Sequence, residues 1–414
     1  MGSIYATAGL VVVAAAGEDA EGGLPGTENN PRPQEEVLLR FATAAGDDIS
    51  LVKFEPPREK IRNCRWFTRA WTFQEFIFAK RALFVMPDEV FLFCDEGIQE
   101  EMFSVSKKPH SVHWLHSEVP LQRARKTLLQ SVPHTWALYR NTVEEYSRLE
   151  LTYEKDRLAA LAGYLSQINR SIPNEELVLR TGILADHFGP GLIWTVENEY
   201  QGRRRFPYSH ASRPRDCDAP SWSWASAGRP VRFARYYNID GLYKATGFTN
   251  SIIGNLQAVG KKLGPKATVT ATDSPMQSVV LSHERNPTIH LVTMIFHARI
   301  APVRGNKYRH IREYWFAPPD GSLEVDLDDL AYSSNGFLVD EDRHGKLDPK
   351  TPSIFAVAMP TTLDDFPQTD FAVMLLHRVK DGYERVSLGF LRNDTLNDLI
   401  EDDAHAGWAY IKLR

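Results

Sequence analysis

The sequence predicts an α+β fold in three parts: an α/β segment at residues 1–100, a helical region at 101–200 and a β-rich domain at 201–414. Three observations predict it. Short strand-like runs and one dense apolar helix share the first hundred residues. Helical spacing dominates from Pro120 to Ile172. After Gly228, short apolar runs separated by Gly, Pro, Asn and Asp take over. A chain of 414 residues and 47.0 kDa is also too long for one simple core.

The elements follow in order. Ile4 to Ala8 reads as a small-residue helical turn leading into a buried strand at Leu10–Ala15. Residues 21–36, rich in Gly, Pro, Asn and Glu, read as a surface loop. Val37–Phe41 and Ile49–Phe54 read as short strands that end before Pro56-Pro57. Thr68–Phe78 reads as a helix, too densely apolar at Trp71, Phe73, Phe76 and Ile77 to stand exposed. Arg81–Phe93 reads as two strands about the turn Pro87-Asp88.

In the middle region, Trp136, Tyr139, Val143 and Tyr146 share one helical face. A second helix is expected from Thr152, with Thr152 as N-cap and Glu154 and Asp156 favouring the positive end. Leu158, Leu161, Ala162, Leu165 and Ile168 would form its buried stripe. Strands are then expected at Val279–Leu281, Ile289–Ile300, Phe337–Val339, Ile354–Met359, Phe371–His377, Val386–Phe390 and Ala409–Leu413.

Bulk properties exclude several classes. Hydrophobic residues make up 43% and charged residues 24%, a folding composition. The net charge of −5 gives no basic surface for a nucleic acid. Cys64, Cys94 and Cys217 are few, odd in number and unpaired by spacing, which fits cytoplasmic thiols and no zinc site. The apolar run Ile4–Ala16 lacks a preceding Lys or Arg and meets Glu18 and Asp19 at once, so it is not a signal peptide. It is also too short to span a bilayer. Ala6 breaks the myristoylation pattern. No Walker loop, G-x-G-x-x-G or G-x-S-x-G occurs.

Two segments carry a family resemblance. Arg69-Ala70-Trp71-Thr72-Phe73-Gln74-Glu75 resembles the "R-x-W-T-x-Q-E" run that closes the fungal heterokaryon-incompatibility (HET) domain, and Met1–Leu24 resembles its "M-x-x-I-Y-x-x-A…D-A…G-L" pattern. Downstream, the run from Trp136 to Gly163, Ala219-Pro220-Ser221-Trp222-Ser223-Trp224-Ala225-Ser226 and Tyr383–Gly389 resemble successive segments of full-length HET proteins. The "L-S-Y-x-W-G" and "D-x-x-C-I-x-Q" strands of the first half of the domain do not occur, so the resemblance implies a chain truncated within the HET domain. It implies non-self recognition and programmed cell death, acting through protein partners or self-association, with no resident cofactor. HET domains in turn resemble TIR domains, which implies a TIR-like α/β fold for the front segment. Trp71-Thr72-Phe73-Gln74-Glu75-Phe76 is similar to the "S-x-W-C-L-x-E-L" helix whose glutamate cleaves NAD. On that likeness Glu75 is the catalytic carboxylate, NAD the substrate and the chain a glycohydrolase; a truncated fragment without activity is the further alternative.

The residues read on their own leave alternatives. A glutamate among bulky apolar residues has its charged form disfavoured and its pKa raised, and would steady a ribosyl cation or activate water. Equally, Glu75 would be a structural carboxylate paired with Arg69 or Arg81. Trp222 and Trp224 would share one strand face, opposite Ser221 and Ser223, and either stack on a ligand or fill the core. Asp340–Asp348 resembles the start of a calcium loop but has Thr351 where a bidentate Glu is needed, so it reads as an acidic turn. His110, His113 and His116 lack acidic partners and read as surface residues. Arg203–Arg205, Arg213 and Arg215 read as a solvated basic loop.

Overall fold

The computed structural model describes residues 2–17, 22–32, 37–42, 48–52, 57–94, 97–101, 110–111, 136–168, 175–184, 191–196, 219–233, 280–281, 288–308, 311–316, 337–341, 346–361, 370–392, 399 and 403–414. The chain divides into two compact units, Met1–Ser171 and Ile172–Arg414. Helices and strands both occur in quantity, so the fold is α+β, and the C-terminal region is rich in sheet.

The first unit opens with α1 (Gly2–Thr7) and β1 (Val11–Ala14). The hairpin β2 (Val37–Ala42) and β3 (Asp48–Val52) follows. Then come α2 (Pro57–Asn63), α3 (Thr72–Phe78), β4 (Ala82–Val85), β5 (Val90–Phe93), β6 (Gly97–Glu100) and β7 (His110–Ser111). The sheet order is β1-β4-β5-β6-β7. β1 and β4 run parallel, which requires the long crossover that α2 and α3 provide. The other pairs are antiparallel. The expected strand at Leu10–Ala15 therefore forms, but it is not buried throughout. Its sides alternate, with Val11 and Val13 inward and Val12 and Ala14 exposed, because one face of the sheet is open to solvent at β1.

Helix α4 (Trp136–Tyr146) buries Leu138, Tyr139, Thr142, Val143 and Tyr146, as the spacing predicts. The long helix expected from Thr152 does not form. Two 3-10 turns, Glu154–Asp156 and Ala159–Leu161, lead instead into the short α5 (Ala162–Ile168). Side chains take up the carbonyls of this segment. Tyr146 Oη donates to Arg157 O at 2.6 Å, and Gln74 Nε2 donates to Ala159 O and Ala160 O. Buried Arg157 also folds back onto Glu154 at 2.7 Å, which tightens the first turn.

The second unit holds α6 (Glu175–Thr181), the pair β8 (Trp194–Val196) and β9 (Val231–Phe233), and two further sheets. The larger sheet contains β10 (Val280–Leu281), β11 (Ile289–Ala298), β15 (Ser353–Thr361), β16 (Asp370–Val379), β17 (Gly382–Arg392) and β18 (Gly407–Leu413). β18 pairs with both β17 and β11, so the ladder returns on itself. The smaller sheet is β12 (Ile300–Tyr308), β13 (Ile311–Phe316) and β14 (Phe337–Asp340). Phe296, Ile300, Tyr314, Phe337, Phe355, Val373 and Leu375 from both sheets form one core. Gly389 belongs to this contact: a Cβ there would lie 2.5 Å from the Phe337 ring.

Candidate functional site

The segment Arg65–Phe78 is the best-defined candidate. Residues Arg65–Thr68 form a 3-10 turn, after which the chain extends at Arg69. The single helix expected over Thr68–Phe78 is thereby split. The cause is a backbone bridge: Glu150 N donates to Thr68 O at 2.7 Å, and Ala70 N donates to Glu150 O at 2.8 Å. Arg65 adds an ion pair to the Glu150 carboxylate at 2.8 Å.

Most of the motif is committed to folding. Thr72 Oγ1 lies 2.6 Å from Trp66 O and 2.7 Å from Arg69 O, closing the turn onto α3. Gln74 is buried and holds the 159–160 backbone. Phe73 meets the rings of Tyr146 and Tyr164 edge-on, with centroids 5.2 and 6.0 Å apart. Phe76 packs on Phe84 and Phe93. Trp71 is half-buried at the start of α3, and Arg69 is exposed.

Glu75 stands apart. It is half-buried, and its carboxylate accepts from Trp66 Nε1 at 3.2 Å. The Tyr5 hydroxyl, from α1, is its other polar neighbour. The Tyr5 phenol is pushed up in pKa, first by burial and then by the Glu75 charge and hydrogen bond. Among the described residues its partners are these two neutral donors, not Arg69 or Arg81, so the expected ion pair is absent. Two neutral donors leave the half-buried Glu75 carboxylate without a cationic partner among the described residues. Sequence reasoning missed Tyr5 and Trp66; no spacing signal links Tyr5 to Glu75.

The second motif is a buried staple, not a strand. Ser223 Oγ accepts from Ala225 N at 3.1 Å and so caps a 3-10 turn at Trp224–Ala227. Gly228 ends the turn in the left-handed region, at φ 60°. Pro220, Ser221, Trp222, Ser223 and Trp224 are all buried. Trp222 and Trp224 are 0% and 1% exposed, so they fill the core and offer no face to a ligand. Ser223 Oγ donates to Thr181 O at 2.6 Å, and Trp224 Nε1 to Gly182 O at 3.2 Å. Ser221 joins two further strands: its N–H donates to Arg414 O at 2.8 Å, and its hydroxyl accepts from Arg385 N at 3.1 Å.

Arg385, which sequence reasoning also missed, is buried beneath this staple. Its guanidinium donates to Leu192 O and Trp194 O and lies 4.0 Å over the Trp194 ring. Burial pushes its pKa down to about 9.

The other candidates lie partly outside the described residues. No group of three or more His, Cys, Asp or Glu among the described residues could hold a metal. His110 lies on β7, while His113 and His116 fall outside the described residues. Asp348 accepts from Lys350 N and Thr351 Oγ1, the bonds of an Asx-type turn; Asp342 and Gly345 lie outside the described residues. Arg203–Arg205, Arg213, Arg215 and Cys217 lie outside them as well, and Cys64 and Cys94 are free thiols. Among the described residues no helix is long and apolar enough to cross a membrane.

Residues 1–75 match the family described as Heterokaryon incompatibility protein (HET). The match ends on Glu75 and runs from α1 and β1 through β2, β3 and α2 into α3. The resemblance read from "R-x-W-T-x-Q-E" is thus that of a HET segment. Comparison with curated proteins gives no match, and comparison with solved structures gives none.

Proposed function

We propose that this chain works in heterokaryon incompatibility of filamentous fungi, as a cytoplasmic module that recognises non-self and triggers growth arrest and cell death through protein contacts. The observation that carries this reading is the family match over residues 1–75. The division of labour in the motif agrees with it: Thr72 and Gln74 hold the fold, and the exposed surface of α1 and β1 is left for contacts. The test is expression of the full chain from an inducible promoter in a filamentous fungus, with growth rate and dye exclusion as readouts. Arrest and death on induction support the reading; normal growth at confirmed expression counts against it.

A second reading has its own observation. Glu75 is the one acidic side chain of the motif, and its partners are neutral donors. In a TIR-like α/β domain it would steady the ribosyl cation as nicotinamide leaves NAD. The test is NAD consumption by purified protein against Glu75→Gln. Turnover that vanishes in the folded variant supports this reading, and absence of turnover in both removes it.

A further inference from the structure

Asp348, Pro349, Lys350 and Thr351 form a tight turn that closes on a hydroxyl. Thr351 N donates to Asp348 O at 3.1 Å, Lys350 N to Asp348 Oδ1 at 3.0 Å and Thr351 Oγ1 to Asp348 Oδ2 at 2.8 Å. Asp348, Lys350, Thr351 and Pro352 are exposed. Pro352 follows the hydroxyl and Pro349 precedes it by two residues, which makes a Pro-x-Thr-Pro run. The chain holds one other Ser/Thr-Pro step, Ser274-Pro275, which has Thr272 in place of Pro349 and lies outside the described residues. Pro352 removes a backbone donor and biases Thr351 toward extended backbone. An enzyme pocket without an acceptor at that point takes Thr351-Pro352 and rejects hydroxyls followed by other residues. Behind the turn, the same segment joins the two sheets of the core. Leu347 packs against the cluster of Phe296 and Phe355, and its N–H donates to Tyr314 Oη of β13 at 3.3 Å. Beyond Pro352 the chain enters β15.

We propose that Thr351 is a phosphorylation site for a proline-directed protein kinase, and that the phosphate opens the turn at Asp348. In the transfer, the γ-phosphorus of a nucleoside triphosphate bonds to Thr351 Oγ1 and its bond to the β,γ-bridging oxygen breaks. The nucleoside diphosphate leaves, and the hydroxyl proton passes to a base of the kinase. The ester oxygen carries no proton, so the bond from Thr351 to Asp348 is lost. A group with a charge of roughly −1.5 to −2 then stands beside the Asp348 carboxylate. The Lys350 N–H and the Thr351 hydroxyl hold that carboxyl below the usual carboxylate range, so it is ionised at neutral pH and repels the phosphate. Before transfer, Asp348 engages the hydroxyl proton, so the same side chain restrains the reaction that displaces it. The site is independent of Glu75 and of the contacts proposed for the first unit.

The test incubates the folded full chain with ATP and a purified proline-directed kinase, itself shown active on a Pro-x-Thr-Pro peptide, and maps phosphopeptides by mass spectrometry. Phosphate on Thr351 is expected in the wild type, with incorporation there reduced about tenfold or more in Pro352→Ala. Asp348→Ala frees the hydroxyl and is expected to raise the initial rate at Thr351 about fivefold. Trypsin then reads the turn, because Lys346 is exposed just before it. Cleavage after Lys346 is expected to run about fivefold faster in the phosphorylated wild type, the factor that one like-charge pair gives in water. Phosphatase treatment is expected to restore the slow rate. A wild type with no phosphate on Thr351, or with phosphate confined to Ser274, overturns the inference. So does incorporation undiminished in Pro352→Ala, a rate unchanged in Asp348→Ala, or cleavage after Lys346 that ignores the phosphate.

Discussion

Gln74 Nε2 donates to Ala160 O at 2.6 Å, so one motif side chain fastens α3 to backbone far along the chain. The same amide reaches Ala159 O at 3.2 Å. Replacing Gln74 by Leu keeps the bulk and removes the donors, leaving the buried Ala160 carbonyl without its bond. Stability is expected to fall by roughly 1–3 kcal/mol, read as a lower urea midpoint. An unchanged midpoint would show that the motif glutamine is dispensable to the fold.

Gly163 faces the same side chain. A Cβ at this position would lie 2.4 Å from Gln74 Oε1 and 3.1 Å from the Phe78 ring. Gly163→Ala is therefore expected to cost roughly 1–3 kcal/mol despite its better helix propensity. Because both changes act on one contact, the Gln74→Ala, Gly163→Ala double variant is expected to lose less than the sum of the single changes.

Tyr146 makes the first unit sensitive to alkali. Burial is the largest cause raising its pKa above the ordinary tyrosine value, and Tyr164 is raised for the same reason. A group whose folded pKa exceeds its unfolded value stabilises fully below the unfolded value. That stabilisation is lost as pH rises through about 10 and above. Tyr146→Phe removes one such group, so its stability is expected to fall less steeply above about pH 10. At neutral pH the lost bond to Arg157 O is expected to cost about 1 kcal/mol. Urea midpoints between neutral and alkaline pH check both parts.

Arg385 gives the second unit the opposite trend. Its pKa is pushed down to about 9 by burial, below the unfolded value. Between about pH 9 and 12 the unfolded chain therefore binds more protons, and this group's contribution to stability rises with pH. Arg385→Met is expected to abolish that rise. Arg385→Ala is expected to cost roughly 3 kcal/mol at neutral pH, since the Leu192 and Trp194 carbonyls lose their donors and the Trp194 ring its cation.

The C-terminal strands were legible because their apolar runs are short and bounded by turn residues; Asp370–Val379 and Gly382–Arg392 extend the expected cores by a few residues. β12 and β13 were not separated from the loops around them. Pro302, Gly305 and charged residues interrupt the β pattern, and the register shifts between Pro302 and Lys307. The helix expected from Thr152 failed because side chains distant in sequence claimed its carbonyls, which no local pattern records. Trp222 and Trp224 alternate like a strand, but Ser223 caps a 3-10 turn that begins at Trp224, so the alternation does not describe their setting. At Glu75 the position was legible from the motif. Its surroundings were not, because Trp66 reaches it by a turn and Tyr5 by a separate element.

The central claim is that the chain acts through contacts and not through chemistry at Glu75. The most direct measurement is growth arrest on induction of wild type and of Glu75→Gln in the same fungal host, with folding of both confirmed. Equal arrest by the two is the predicted result. Arrest by the wild type that disappears in the folded Glu75→Gln chain would contradict the account and make Glu75 catalytic.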